Sequence, residues 1–224
     1  MAYAWVMKET SPQPLSSSNI LESAKTQVRR FGESKTNVMD VARALGVSHA
    51  ALYRFYRSKS AMMDAIVQEA MDDETRLAAE HVEADGPPAE RLTAMLLDLH
   101  RHKRERFVGD REIHDLYRRI VVERSDMIAA YADRITALIA RLIEKAVVRG
   151  EWKVDNISVA AGVVRDAAMI YVHPAFVGQL VMAGAPIEDM LRATVTTLVR
   201  AFETGVHYGS SERGVDTANA RAQV

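Results

Sequence analysis

Apolar residues recur along this chain at intervals of three and four, the spacing that gathers side chains on one face of an α-helix. Ile20, Leu21, Ala24, Val28 and Phe31 line one such face, with Ser16 to Ser18 available to cap its start. Met62, Met63, Ile66, Val67 and Ala70 open a long stripe that turns strongly polar after Met71. Leu92, Met95, Leu96 and Leu99 form another, as do Ile128, Ile135, Leu138, Ile139, Leu142 and Ile143. The last runs through Ile187, Met190, Leu191, Thr194, Leu198 and Phe202. Gly32, Gly46, Gly86-Pro87-Pro88, Gly109, Gly150 and Gly184-Ala185-Pro186 come after these stretches as stop signals. No segment alternates with period two between turns, so the pattern predicts an all-α fold of about nine helices.

Two segments depart from a single apolar face. About Asp155 to Ala183 and Ile187 to His207 are apolar more widely, with Ala160, Ala161, Val163, Val164, Ala167, Ala168, Ile170 and Tyr171 nearly surrounding the first. Such coverage predicts an internal position or a subunit interface. Pro174, after His173, falls inside the first and is expected to kink it, because proline removes a backbone hydrogen bond. The ends, residues 1–15 and 208–224, carry no stripe and read as flexible tails. Between them the chain divides into a small unit, residues 16–62, and a larger one, residues 63–207.

Composition narrows the chemistry. The 224 residues are 48% hydrophobic and 26% charged, an ordinary globular balance long enough to bury a core. With no cysteine there is no disulfide framework, thiolate metal site or cysteine nucleophile. No apolar run approaches the ~18 residues of a membrane span, and no secretory signal pattern stands at the start, so a cytoplasmic address away from membranes is expected. The net charge is −1, yet it is unevenly spread. Ser16 to Ala61 holds eight Lys and Arg against three acids, whereas Met62 to Glu90 holds one against nine. A basic module in a chain that is near neutral overall suits a polyanion partner; two solvated faces of opposite sign would look the same by charge alone.

Thr36 to Lys59 decides between them. Thr36 is positioned to cap a short helix with Val38, Val41, Ala42 and Leu45 inside. Gly46 offers a left-handed turn, Val47 plugs the angle, and Ser48 caps a second helix that buries Leu52 with Phe55 or Tyr56. Small and polar residues at the exposed start of the second helix are helix-turn-helix chemistry, sized for a DNA major groove.

This stretch, with Ile20 to Ala24 and Phe31-Gly32 before it, resembles the DNA-binding domain of the TetR family of bacterial regulators. The shared signature is the threonine cap, Asp40-Val41-Ala42, Gly46-Val47-Ser48, Leu52-Tyr53 with Tyr56, and Ser58-Lys59. The resemblance implies phosphate contacts from Thr36, Ser48, Tyr53 and Lys59. It implies base contacts from His49, Ala50, Ala51 and Arg54. It further implies a homodimer on a palindromic double-stranded operator, a repressor released by a small apolar or aromatic effector, and dimerisation through the last helix pair. Leu191, Thr194, Leu198 and Phe202 are the interface positions expected there. A basic N-terminal arm is not expected, since Met1 to Ser18 offers only Lys8.

The larger unit carries weaker signals. Large or polar residues on apolar faces, the candidates to line an effector pocket near the Pro174 kink, are His100, Phe107, Tyr117, Tyr131, Tyr171, His173 and Phe176. The histidines lack metal-ligand spacing, His100 and His102 being i, i+2, so no metal or other cofactor is expected. No catalytic constellation stands out. The basic run Arg101 to Arg106 and the charged stretch Asp110 to Arg119 read as solvated. Two alternatives stay open: control of the same DNA-binding unit by a protein partner, or a helical enzyme whose N-terminal hairpin is structural.

Overall fold

Each of the first four helices begins on a side-chain cap. In the computed structural model, which describes residues 15–208, Ser16 accepts the amide of Asn19 to open α1 (Ser17–Phe31). Asn37 caps α2 (Val38–Leu45), Ser48 caps α3 (His49–Tyr53) and Ser58 caps α4 (Lys59–Glu83). The α2 cap is therefore Asn37 and not Thr36, whose hydroxyl instead donates to the Gly32 carbonyl at 2.8 Å. The other six helices are α5 (Pro88–Gly109), α6 (Arg111–Glu123), α7 (Ser125–Val148), α8 (Ile157–Val172), α9 (Pro174–Met182) and α10 (Ile187–Thr204). The described residues thus hold ten helices, with no strand beyond one isolated bridge between Val154 and Val206. The tails read from the sequence lie, but for their innermost residues, outside the described residues.

The extra helix comes from Pro174. Rather than kinking one long helix, it ends α8 at Val172 and starts α9, where its missing N–H costs nothing. His173 sits between them and caps α9 through Nδ1.

Two apolar cores share α4, and α7 adds Met127 to the first while its later turns lie in the second. The N-terminal core joins Ile20, Ala24 and Val28 of α1, Val41 of α2 and Leu52 of α3 to Met63, Val67 and Met71 of α4. Ile113, Leu116, Tyr117 and Ile120 of α6 complete it, so α6 belongs to this layer as much as to the body. Phe31 does not, being exposed at the end of α1. The body core begins at Ala78 and Val82 of α4 and takes in α5, α7, α8 and α10, with Trp152 closing one end against Phe202. A helix of 25 residues, α4 is about 37 Å long and so spans both cores. Ion pairs bind the two layers at their edges: Arg119 grips Glu33 with two hydrogen bonds, and Arg29 reaches Asp110.

Candidate nucleic-acid interface and body cavity

The angle between α2 and α3 is set by Gly46, whose φ of 66° and ψ of 26° lie in the left-handed region that glycine enters without strain. The Gly46 and Val47 amides turn back onto the Arg43 and Ala42 carbonyls, closing the end of α2. Leu52 is buried, and Tyr56, half-buried, joins the core beside it; Phe55 points outward. What α3 leaves outside is Ala50, Tyr53 and Arg54, with His49 and Ala51 half-exposed and the His49 ring edge-on to Tyr53 at 4.5 Å. Ser48 is exposed while its Oγ accepts the Ala51 amide. Lys35, Asn37 and Arg57 lie exposed nearby, cations and an amide that the motif alone does not single out.

Two of the expected phosphate ligands have other work. Thr36 is 3% exposed with its hydroxyl hydrogen given to Gly32, so this geometry withdraws it from the DNA-facing set. Lys59 donates to the carbonyls of Glu33 at 2.6 Å and Ser34 at 3.2 Å, tying the α1–α2 loop to the start of α4.

Behind this head, one carboxylate organises the junction with the body. Glu74 of α4 is 0% exposed; its Oε1 accepts from Arg106 Nη2 at 2.9 Å. Its Oε2 accepts from Lys103, from the Tyr131 hydroxyl at 2.8 Å and from the Tyr117 hydroxyl at 3.2 Å. Burial alone would raise this carboxyl, but the Lys103 and Arg106 charges and the hydrogen bonds hold it at about 2. Burial pushes the Lys103 ammonium down, against the opposing pull of Glu74. The basic run Arg101 to Arg106 is thus not a solvated end, since Lys103 is 2% exposed. A signal for this was present: Glu74 continues the stripe Val67-Met71-Glu74-Ala78, and Lys103 the stripe Leu92-Leu96-Leu99-Lys103. A charge on an apolar face is a charge heading inward.

Next to this cluster lies a cavity of about 110 Å³ between α5, α6, α7 and α8. Leu96, Leu99, Ile128, Ile135, Ile139 and Ala168 supply apolar wall; Lys103, Tyr117, Tyr131, Arg165 and His173 supply the polar tips. Of the seven pocket candidates, Tyr117, Tyr131 and His173 therefore line it. The other four do not. His100 is buried with Nδ1 on the Tyr171 carbonyl at 2.8 Å, and the Tyr171 hydroxyl meets Thr194 Oγ1 at 3.1 Å. Phe107 packs on Gly178 and His114, and Phe176 is exposed. A wider groove between α5 and α10, with Glu90, Arg91, Arg192 and Glu203 on its walls, lies open to solvent and away from Glu74.

The α10 stripe faces inward. Leu191 at 0% and Phe202 at 1% exposure are filled into the body core with Val195 and Val199, which removes both from any interface between copies. Thr194 and Leu198 sit at the border, half-buried. The outward faces of α8 and α10, which pack on each other, carry Val159, Val163 and Ile170, and Met190, Ala193 and Thr197. Among the described residues nothing covers this mostly apolar surface.

Comparison with known proteins bears on both layers. Residues 20–66 match the family described as bacterial regulatory proteins, tetR family, and residues 88–201 match the tetracyclin repressor-like C-terminal domain. No curated protein sequence matches the chain significantly. Among solved structures, the fold is similar to that of SmeT, the repressor of the Stenotrophomonas maltophilia multidrug efflux pump SmeDEF. The TM-score there is 0.60 at 16% identity, over 86% of this chain and 92% of that one. FadR of Bacillus subtilis, solved with stearoyl-CoA, superposes with a TM-score of 0.54 at 15% identity, over 86% of this chain and 100% of that one. RolR, solved with resorcinol, gives 0.55 at 12% identity, over 83% and 86%.

Proposed function

Since the chain belongs to the TetR family of DNA-binding transcriptional regulators, we propose that it is a cytoplasmic homodimeric repressor whose hold on a palindromic operator is set by a small molecule in the body cavity. Each protomer lays α3 in a major groove. Arg54 and His49 meet base edges, Ala50 and Ala51 allow close approach to thymine methyls, and Ser48 and Tyr53 contact phosphate. Exposed Lys35 and Arg57 add sequence-independent attraction. The copies pair through the outward faces of α8 and α10, which spaces the two heads for successive major grooves, about 34–36 Å apart or a multiple of it.

One observation carries this reading. The three residues that donate to Glu74 Oε2, namely Lys103, Tyr117 and Tyr131, all line the cavity, while Glu74 itself sits on the helix that supports α1 to α3. A ligand that moves any of them acts directly on α4. Two structurally similar proteins were solved with small molecules, FadR with stearoyl-CoA and RolR with resorcinol, which supports control by a ligand.

The test is selection of duplexes from a random pool, with fluorescence anisotropy on the winner. Wild type should enrich a two-fold symmetric site, and a Tyr53→Ala/Arg54→Ala variant should lose at least tenfold in affinity for it. Equal affinity of the two proteins would contradict the assignment of α3.

A further inference from the structure

The charges around the cavity do not balance, and the imbalance has a sign. Buried at the Glu74 centre are one carboxylate and two cations, Lys103 and Arg106. The cavity wall itself holds Lys103, the His173 ring and Arg165, which pairs with Asp166 at 2.7 Å, and among the described residues no aspartate or glutamate lines it. An ammonium has three donors, and Lys103 has given two, to Glu74 and to the Tyr131 hydroxyl. His173 accepts the Ala175 amide through Nδ1, which places its hydrogen on Nε2 as a further donor. Burial and the nearby Lys103 charge hold this imidazole below its ordinary pKa, hence neutral.

Size sets the second limit. At about 110 Å³ the cavity is a little smaller than the roughly 150 Å³ apolar cavity that takes up benzene. A single ring or its short aliphatic equivalent fits such a space.

We propose that the cavity binds a small carboxylic acid of one-ring size as its anion, with the carboxylate on Lys103 and the ring among Leu96, Leu99, Ile135 and Ala168. The acid supplies negative charge beside an ammonium that is itself buried, and charge-assisted hydrogen bonds to such a group are short and strong. Its arrival competes with Glu74 for Lys103, so occupancy loosens the bond between α5 and α4. This rests on the effector reading above and names the ligand's chemical class.

Calorimetric titration of the full chain with matched acid and amide pairs separates the two levels of the claim. The pairs are benzoate with benzamide and salicylate with salicylamide. Each acid should bind at least tenfold more tightly than its amide, and Ala132→Leu, which intrudes into the cavity, should abolish both. In Lys103→Met the acid preference should fall to within about twofold, while Lys103→Arg should retain it. Amides binding as tightly as acids, and lost in Ala132→Leu, would overturn the carboxylate assignment and leave the effector cavity standing. Acid preference unchanged in Lys103→Met would overturn the role of Lys103. No binding of any of the four compounds to wild type would overturn this proposal and remove the cavity as the effector site.

Discussion

At Glu74 the chain holds a fully buried carboxylate at about 2, and stability should register it. A carboxyl whose folded pKa lies below its ordinary 4.5 stabilises the fold fully above that value and loses the contribution as pH falls toward 2. Denaturant titrations at pH 6, 4 and 2.5 should therefore show wild type weakening through this window. Glu74→Gln should start about 3–5 kcal/mol less stable, because Lys103 and Arg106 are left buried without a counter-charge. It should also be flatter across the same window; a parallel loss in both proteins would count against the pairing. Gly178 gives a steric test. A Cβ there would lie 2.7 Å from Phe107 Cε2, so α9 approaches α5 too closely for any side chain. Gly178→Ala should cost about 1–3 kcal/mol, and Phe107→Leu in the same chain should recover part of it. Thermal unfolding of the single and double variants measures this.

Among the helices, legibility in the sequence depended on how local the cause was. Caps, the Gly46 turn and the inner face of α2 are settled by neighbours a few residues away, and these read correctly apart from the shift of the cap from Thr36 to Asn37. Pro174 was readable as a disruption but not as a full break, since that depends on whether His173 finds the geometry to cap the next helix. The α10 stripe shows the limit most clearly. Periodicity marks Leu191, Leu198 and Phe202 as one apolar band, but cannot say whether the band meets its own body or a second copy. The fold turns Leu191 and Phe202 inward, and the burial of Lys103 and Glu74 likewise depended on which helices would meet. If the outward faces of α8 and α10 form the dimer, Ile170→Arg should yield monomers in sedimentation velocity at micromolar concentration. Leu191→Ala, a core truncation, should lower the melting temperature while leaving a dimer below it. A dimeric Ile170→Arg protein would send the interface elsewhere.

At the scale of the molecule, a basic head and an acidic body share α4, and the buried charge of that helix is held by residues of the cavity wall. Regulation through such an arrangement requires that the ligand bind one arrangement of the heads better than the other. Thermodynamic linkage then makes the effect mutual, with ~1–3 kcal/mol of coupling changing each affinity about 5- to 150-fold. The decisive experiment is one linked pair of titrations on the protein with its selected duplex. Operator affinity is measured by anisotropy with and without saturating salicylate, and salicylate affinity by calorimetry with and without the duplex. Salicylate should weaken operator binding at least fivefold, and the duplex should weaken salicylate binding by the same factor. Both ligands bound, with neither affinity altered by the other, would refute regulation through the cavity.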